Sequence, residues 1–220
     1  MNVTYEAVRN NPEIRTYITQ ADESLLALGY TEHSFAHVTK CAETASALLR
    51  DLGYDRREIE LAQIAAFMHD IGNVINRNDH TQSGANMAFR ILDKLGMEAA
   101  DVAAVITAIG YHDDKTAYPV NAIAAALLLA DKTDVRRSRV RNKDTISFDI
   151  HDRVNYAVER SETALNRAEE TFTLDLTINT QVCAVMDYFE IFLDRMLLCR
   201  KAAEFFDLTF RLNINGSPLL

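Results

Sequence analysis

The stretch Met68-His69-Asp70-Ile71-Gly72-Asn73 sets an imidazole and a carboxylate side by side at the end of an apolar segment, then closes that segment with glycine. Adjacent side chains of a helix point about 100° apart, so His69 and Asp70 do not share a stripe, yet both can reach an ion beside the last turn. Two readings of the pair are open. It is either half of a metal site or a helix end at which His69 favours the C-terminal dipole and Asp70 is solvated. The remainder of the chain has to decide between them.

Upstream, His33 to Leu52 reads as a helix, because Cys41, Ala45, Leu48 and Leu52 follow His37 at steps of four, four, three and four. His37 then lies on the buried stripe, with His33 one turn earlier on the same face. Residues 1 to 29 read as one or two short helices ending at Gly29. Glu58 to Ile71 is the helix that delivers His69 and Asp70, with Gly72 expected in a left-handed C-cap. His80 opens a helix that runs through Leu95 to Gly96. A further helix, Met97 to Ile109, ends at Gly110 and releases Tyr111, His112, Asp113 and Asp114 into a loop.

Pro119 is placed to open the next helix, and Ala122 to Ala130 is apolar on every side before Asp131. A buried carboxylate needs a cation. Lys132 is a poor partner on the expectation that consecutive side chains diverge, which leaves a metal ion or an arginine from elsewhere. Arg136, Arg137, Arg139, Arg141 and Lys143 form a basic run. It is a solvated face or, for Lys132 and Arg136 one turn apart on one face, a phosphate-binding pair.

With 48% hydrophobic and 25% charged residues in 220, the chain can bury one sizeable core. A net charge of -9 excludes a protein that grips nucleic acid through its overall field. Cys41, Cys183 and Cys199 form no CxxC pair and leave an odd thiol, which points to a reducing, cytoplasmic location. Met1 to Arg15 lacks the apolar centre of a signal peptide, and the most apolar run is too short to span a membrane, so a soluble protein is expected. The final third changes character. His151 to Glu169 reads as a charged amphipathic helix and Thr171 to Ile178 as a strand. Thr180 to Phe206 reads as a long helix, and Leu208 to Ile214 as a second strand parallel to the first. That helix has more apolar surface than two strands cover, which points to a homodimer.

The segments His37-Val38-Thr39-Lys40-Cys41-Ala42, Met68-His69-Asp70-Ile71-Gly72, His80-Thr81-Gln82-Ser83-Gly84-Ala85, Tyr111-His112-Asp113 and Ala130-Asp131-Lys132 occur in that order. Together they resemble the HD-domain superfamily of metal-dependent phosphohydrolases in its HDIG form, over about residues 33 to 141. The resemblance implies a mainly α fold: an HD-domain helical bundle over residues 1–150 with N-terminal helices, and a small two-stranded β elaboration over residues 151–220 packed on it. It implies His37, His69, Asp70 and Asp131 as ligands of a divalent ion (Mn, Fe, Zn, Ni or Mg), with His80 and His112 holding a second ion in a dinuclear site. Lys132 and Arg136 are the substrate phosphate contacts, and Asp70, His33, Asp113 and Lys132 the candidates for catalytic roles. The implied substrate is a nucleotide or another small phosphorylated metabolite, with neither membrane nor nucleic acid as partner. A regulatory HD module that binds a nucleotide without turning it over is the competing reading.

Overall fold

The computed structural model describes residues 3–113, 117–141 and 150–219. Asp114 and Lys143 lie outside them. Two short helices, α1 (Tyr5–Asn10) and α2 (Pro12–Ala27), are separated at Asn11, whose side chain caps α2 by accepting from the Glu13 and Ile14 amides. Helix α3 (Phe35–Leu52) starts at Ser34, whose Oγ accepts from the Ala36 amide, and ends at Gly53 with φ 89°. Helix α4 (Arg56–Met68) is capped by Asp55 and buries Leu61, Ile64, Ala65 and Met68 against α3. Helices α5 (His80–Lys94), α6 (Ala99–Gly110) and α7 (Ala122–Lys132) complete the helical body.

Helix α7 is the central post. Every residue from Ile123 to Lys132 is buried, and α3, α4 and α6 pack around it. Ala124, Ala125 and Ala126 let these neighbours approach, while Leu127, Leu128 and Leu129 fill the space between them. Complete burial of one such leucine contributes about 1.5–3 kcal/mol. Asn121, not Pro119, opens this helix, with its Oδ1 accepting from the Ala124 amide at 2.8 Å.

The expectation of a left-handed cap at Gly72 does not hold. Asp70 has φ -95° and ψ 0°, and Gly72 lies inside a 3-10 turn, Ile71–Val74, with no positive φ. Glycine is needed there for space. A Cβ on Gly72 would fall onto the His80 carbonyl oxygen and lie 2.5 Å from the Gly84 amide nitrogen. Gly84 returns the constraint, since its own Cβ would stand 3.3 Å from both the Gly72 nitrogen and the His69 carbonyl oxygen. The two glycines bring the start of α5, and His80 with it, against the turn that carries Asp70.

Beyond the body, His151 to Glu169 is not one helix. Helix α8 (Ile150–Ala157) stops, and β1 (Val158–Asn166) pairs antiparallel with β2 (Thr171–Ile178) across a turn in which Asn166 Oδ1 accepts from the Ala168 and Glu169 amides. The long helix α9 (Val185–Glu204) returns the chain to β3 (Thr209–Ile214), which pairs parallel with β2 as expected. A two-residue strand, β4 (Ser217–Pro218), folds back on β3 through Asn215 and Gly216, both left-handed. The elaboration is therefore a four-stranded sheet in the order β1-β2-β3-β4, built on the two parallel strands the alternation marks. Registration of Phe172 with Phe210, Leu174 with Leu212 and Leu176 with Ile214 stacks one apolar face, which α9 covers. Helix α9 also packs on α7, burying Tyr188, Phe192, Met196 and Cys199 and leaving Met186, Leu193 and Leu197 outside. No helix among the described residues is long and apolar enough to cross a membrane.

Overpacking a filled core typically costs about 1–3 kcal/mol, and at Gly72 the atoms that must move are backbone. Gly72→Ala is expected to lower unfolding free energy by ~3 kcal/mol or more. At Gly110 a Cβ would meet Ala85 at an ordinary 3.9 Å. Alanine is the better helix former by ~1 kcal/mol, so Gly110→Ala is expected to be neutral or stabilising. Denaturant unfolding of the two variants beside the parent checks both.

Candidate metal centre

Four helix ends deliver imidazoles to one buried place. His37 comes from the first turn of α3, His69 from the residue after α4, His80 from the start of α5 and His112 from just past α6. Each is oriented by its Nδ1. His69 Nδ1 is 2.7 Å from the Ala66 carbonyl oxygen, His80 Nδ1 3.0 Å from that of Arg77, and His112 Nδ1 2.6 Å from that of Ile109. A carbonyl only accepts, so each Nδ1 carries a proton and each Nε2 is the nitrogen turned inward, its lone pair free when the ring is neutral. His37 Nδ1 donates in the same way to Asp134 Oδ2 at 2.8 Å. This outer partner fixes the ring as partners of metal-bound histidines do.

The Nε2 atoms converge on two carboxylates. Asp70 Oδ2 lies 3.1 Å from His69 Nε2 and 3.7 Å from His37 Nε2, while Asp70 Oδ1 lies 3.7 Å from His80 Nε2 and 3.9 Å from His112 Nε2. Asp131 Oδ1 stands 3.4 Å from His37 Nε2 and 3.9 Å from His69 Nε2. His80 and His112 face each other, Nε2 to Nε2, at 3.3 Å. His69 Nε2 is buried without a hydrogen-bond partner among the described residues. A buried ring nitrogen ringed by carboxylate oxygens and further imidazoles fits a cation, a proton in the metal-free chain or a metal ion in its place. Groups able to hold one are His37 with Asp131 and Cys41, His69 with His112 and Asp131, and Asp70 with His80 and His112.

His33 supports Asp70. Its Nδ1 is 2.6 Å from Asp70 Oδ2, and its Nε2 is 3.3 Å from Arg139 Nη2. Burial lowers the His33 pKa to about 3 against the pull of Asp70, so a neutral ring donates to Asp70 and accepts from Arg139. Burial would also lower His69, but Asp70 outweighs it and raises that group to about 9. His112 is pushed down to about 3 by burial and by the neighbouring charges of His69 and Lys132. Burial alone would raise Asp70, yet His69 and His33 hold it well below the usual carboxylate range.

Lys132 corrects the divergence argument. Its Nζ lies 2.8 Å from Asp131 Oδ2 and 2.8 Å from Asp113 Oδ1, so the consecutive residues do pair. Burial works against its charge, but the two carboxylates more than compensate and raise its pKa. Asp113 is also held by Arg77 at 3.1 Å and lies below the ordinary range. Arg136 does not share a helical face with Lys132, because α7 ends at Lys132. It pairs instead with Glu32 at 3.0 Å and Asp134 at 2.9 Å. Thus His33, His37, His69, Asp70, His80, His112, Asp113, Asp131 and Lys132 gather at one place, and Arg136 lies in the outer layer behind His37.

The sequence reading passed over Glu32, Arg77, Asp134 and Arg195. Asp134 had a signal, a second carboxylate three residues after Asp131 at the end of the apolar run. A cavity of about 470 Å³ opens beside His33, lined also by Tyr30, Arg77, Arg139, Phe192 and Arg195.

The protein-family model described as HD domain matches residues 34–191. No curated protein matches the chain. Among solved structures, a crystal structure described as a predicted HD superfamily hydrolase from an uncultured Thermotogales bacterium is 28% identical, covers 56% of this chain and 67% of its own, and superposes with a TM-score of 0.46.

A raised His69 pKa has a consequence with a definite sign. In the metal-free protein its stabilising contribution is complete below the ordinary value near 6.5 and is lost as pH rises through about 9. A ligating Nε2 must shed that proton, so metal uptake at pH 7–8 should release about one proton per chain, and affinity should climb with pH up to about 9. Calorimetric titration with a divalent metal in buffers of different ionisation enthalpy measures the release. Asp131→Asn is expected to lose metal while remaining folded, read by elemental analysis and circular dichroism.

Proposed function

The chain belongs to the HD domain family, and from that premise we propose a metal-dependent phosphohydrolase that cleaves a phosphoester or phosphoanhydride of a nucleotide or other small phosphorylated metabolite. The observation that carries this reading is the division of Asp70. One of its oxygens faces His37 and His69 and the other faces His80 and His112, a donor set that would suit two neighbouring divalent cations. Bound there, divalent ions supply Lewis acidity toward phosphoryl oxygens and lower the pKa of water toward neutrality.

The chain's own groups supply the rest. His37, His69 and Asp131 would hold one ion with Asp70, and His80 and His112 the other. Asp134 keeps the His37 proton on Nδ1, so that Nε2 stays available. Lys132 neutralises Asp131 and Asp113 without donating to either histidine group, which keeps both carboxylates ionised. His33, fixed between Arg139 and Asp70, sits where Asp70 meets the open cavity and can hydrogen-bond a phosphoryl oxygen only by releasing one of those partners. We assign it to positioning Asp70 rather than to proton donation. The exposed strip of Met186, Leu193 and Leu197 on α9 supports the reading of a homodimer, for which light scattering is the test.

Phosphate release from nucleoside mono-, di- and triphosphates and small phosphate esters, with Mn, Fe, Zn, Ni and Mg in turn, is expected to find turnover that Asp70→Asn abolishes. Elemental analysis at saturating metal is expected to give two ions per chain. One ion would leave His80 and His112 as substrate contacts. Binding of a nucleotide with no turnover under any metal would favour the regulatory module.

A further inference from the structure

The cations around the centre differ in what they are bonded to. Lys132 is held by Asp131 and Asp113, Arg77 by Asp113, Arg136 by Glu32 and Asp134, and Arg139 by the Glu32 and Asp134 carbonyl oxygens. Arg195 has no hydrogen bond and no carboxylate within ion-pair distance among the described residues. Its neighbour Asp194 does not reach it. The guanidinium carbon lies over the Phe192 ring at 4.7 Å from the centroid, and Phe192 is itself fully packed in the core. A guanidinium set over a ring keeps its five N–H groups in their own plane, directed away from the face in contact.

Arg195 also occupies a particular place. It lines the cavity that holds His33, Arg77 and Arg139, and it lines a second cavity of about 470 Å³ bounded by Asp113, Ala117 and Lys132. It therefore stands where the open space meets the acid cluster. Burial lowers its pKa, and Asp131 and Asp113 act in the opposite direction, so these site carboxylates are among the charges it feels. A half-buried guanidinium with no anion of its own, beside a centre that would fix phosphoryl groups, is an incomplete ion pair. In a protein of net charge -9, a local cation at the cavity mouth offsets the overall repulsion of an anion.

We infer that Arg195 is the substrate-anion contact of this centre: its planar fork binds oxygens of a phosphoryl group, a tetrahedral oxyanion, in the cavity beside His33. The inference rests on the phosphohydrolase reading and deepens it, moving the phosphate contact from Lys132 and Arg136 to α9. Residue 195 lies beyond the segment 34–191 that the family model matches, so the contact comes from this chain's own C-terminal part. The fork geometry favours arginine over lysine, because two parallel N–H groups meet two oxygens of one phosphoryl group.

The test is calorimetric titration of inorganic phosphate into the metal-loaded protein, for the parent, Arg195→Met, Arg195→Lys and Arg200→Met, with the metal content of each measured first. Arg200 is an exposed residue of the same helix, and its substitution removes the same charge away from the cavity. Metal content is expected to be equal in all four. Arg195→Met should weaken phosphate binding about 10- to 100-fold, the range for a charged hydrogen-bonded contact, with Arg195→Lys recovering part of the loss and Arg200→Met matching the parent. Full metal with parental phosphate affinity in Arg195→Met overturns the inference, as does a loss that Arg200→Met reproduces. A parent that takes up no metal counts against the phosphohydrolase reading instead. The same comparison in metal-free protein then decides Arg195, with undiminished binding in Arg195→Met, or no phosphate binding by the parent, overturning it.

Discussion

The absence of a side chain at Gly72 is the constraint on which the centre depends. Between the 3-10 turn and the start of α5 there is room for backbone against backbone and nothing more. That contact sets the height of α5 relative to α4, and so the separation of His80 from Asp70. A carboxylate has two acceptor oxygens, so it can serve two groups of histidines when each group approaches its own oxygen. His69 and His37 approach through α4 and α3, and His80 and His112 through α5 and α6. The glycine pair is what allows the second approach.

Within that frame, the electrostatics are organised in layers. Asp70 and Asp131 face the space between the imidazoles, and Asp113 and Asp134 lie behind, each tied to cations of the outer shell. Burial pushes the pKa of all four carboxylates up. They stay ionised because Lys132 serves Asp131 and Asp113, while His37, Arg139 and Lys40 serve Asp134. The histidines divide in the opposite sense. His33 and His112 are kept neutral by burial, whereas His69 is raised by the very carboxylate with which it would share an ion. In the metal-free chain a proton on His69 therefore takes part of the cation's role.

Most of the helical body was legible because its stripes are regular: Cys41, Ala45 and Leu48 place His37 inward, and the unbroken apolar run before Asp131 marks a buried helix. The order of the ligand segments could be read for the same reason. What escaped depended on contacts distant in the chain. A strict alternation marks β2 and β3, but the charges of Val158 to Asn166 suit a solvated helix equally well. Only the free edge of β2 turns that segment into a strand. The Asn215-Gly216 pair was a readable hairpin signal for β4. Gly72 follows a helix as a cap does, so its real role, space for α5, is invisible without the neighbour. Lys132 and Asp131 were separated because consecutive helical side chains diverge at their bases, but the long lysine side chain brings Nζ back to within 2.8 Å of Asp131 Oδ2.

The C-terminal third is joined to the chemistry through α7. Helix α9 packs along that post, so the helix carrying Asp131 is clamped between the metal-facing helices on one side and the sheet's covering helix on the other. A wall built this way can differ between proteins without disturbing the histidines, because its residues touch the cavity and not the carboxylates. His151, Asn155, Phe192 and Arg195 enter the cavity from α8 and α9, whereas the imidazoles of the metal centre come from the body. On the proposed phosphohydrolase reading, the cluster would meet the phosphoryl oxygens that all such substrates share. Discrimination between one such substrate and another would then come from the rest of the cavity, which α8 and α9 wall together with Tyr30, Thr31 and Arg77.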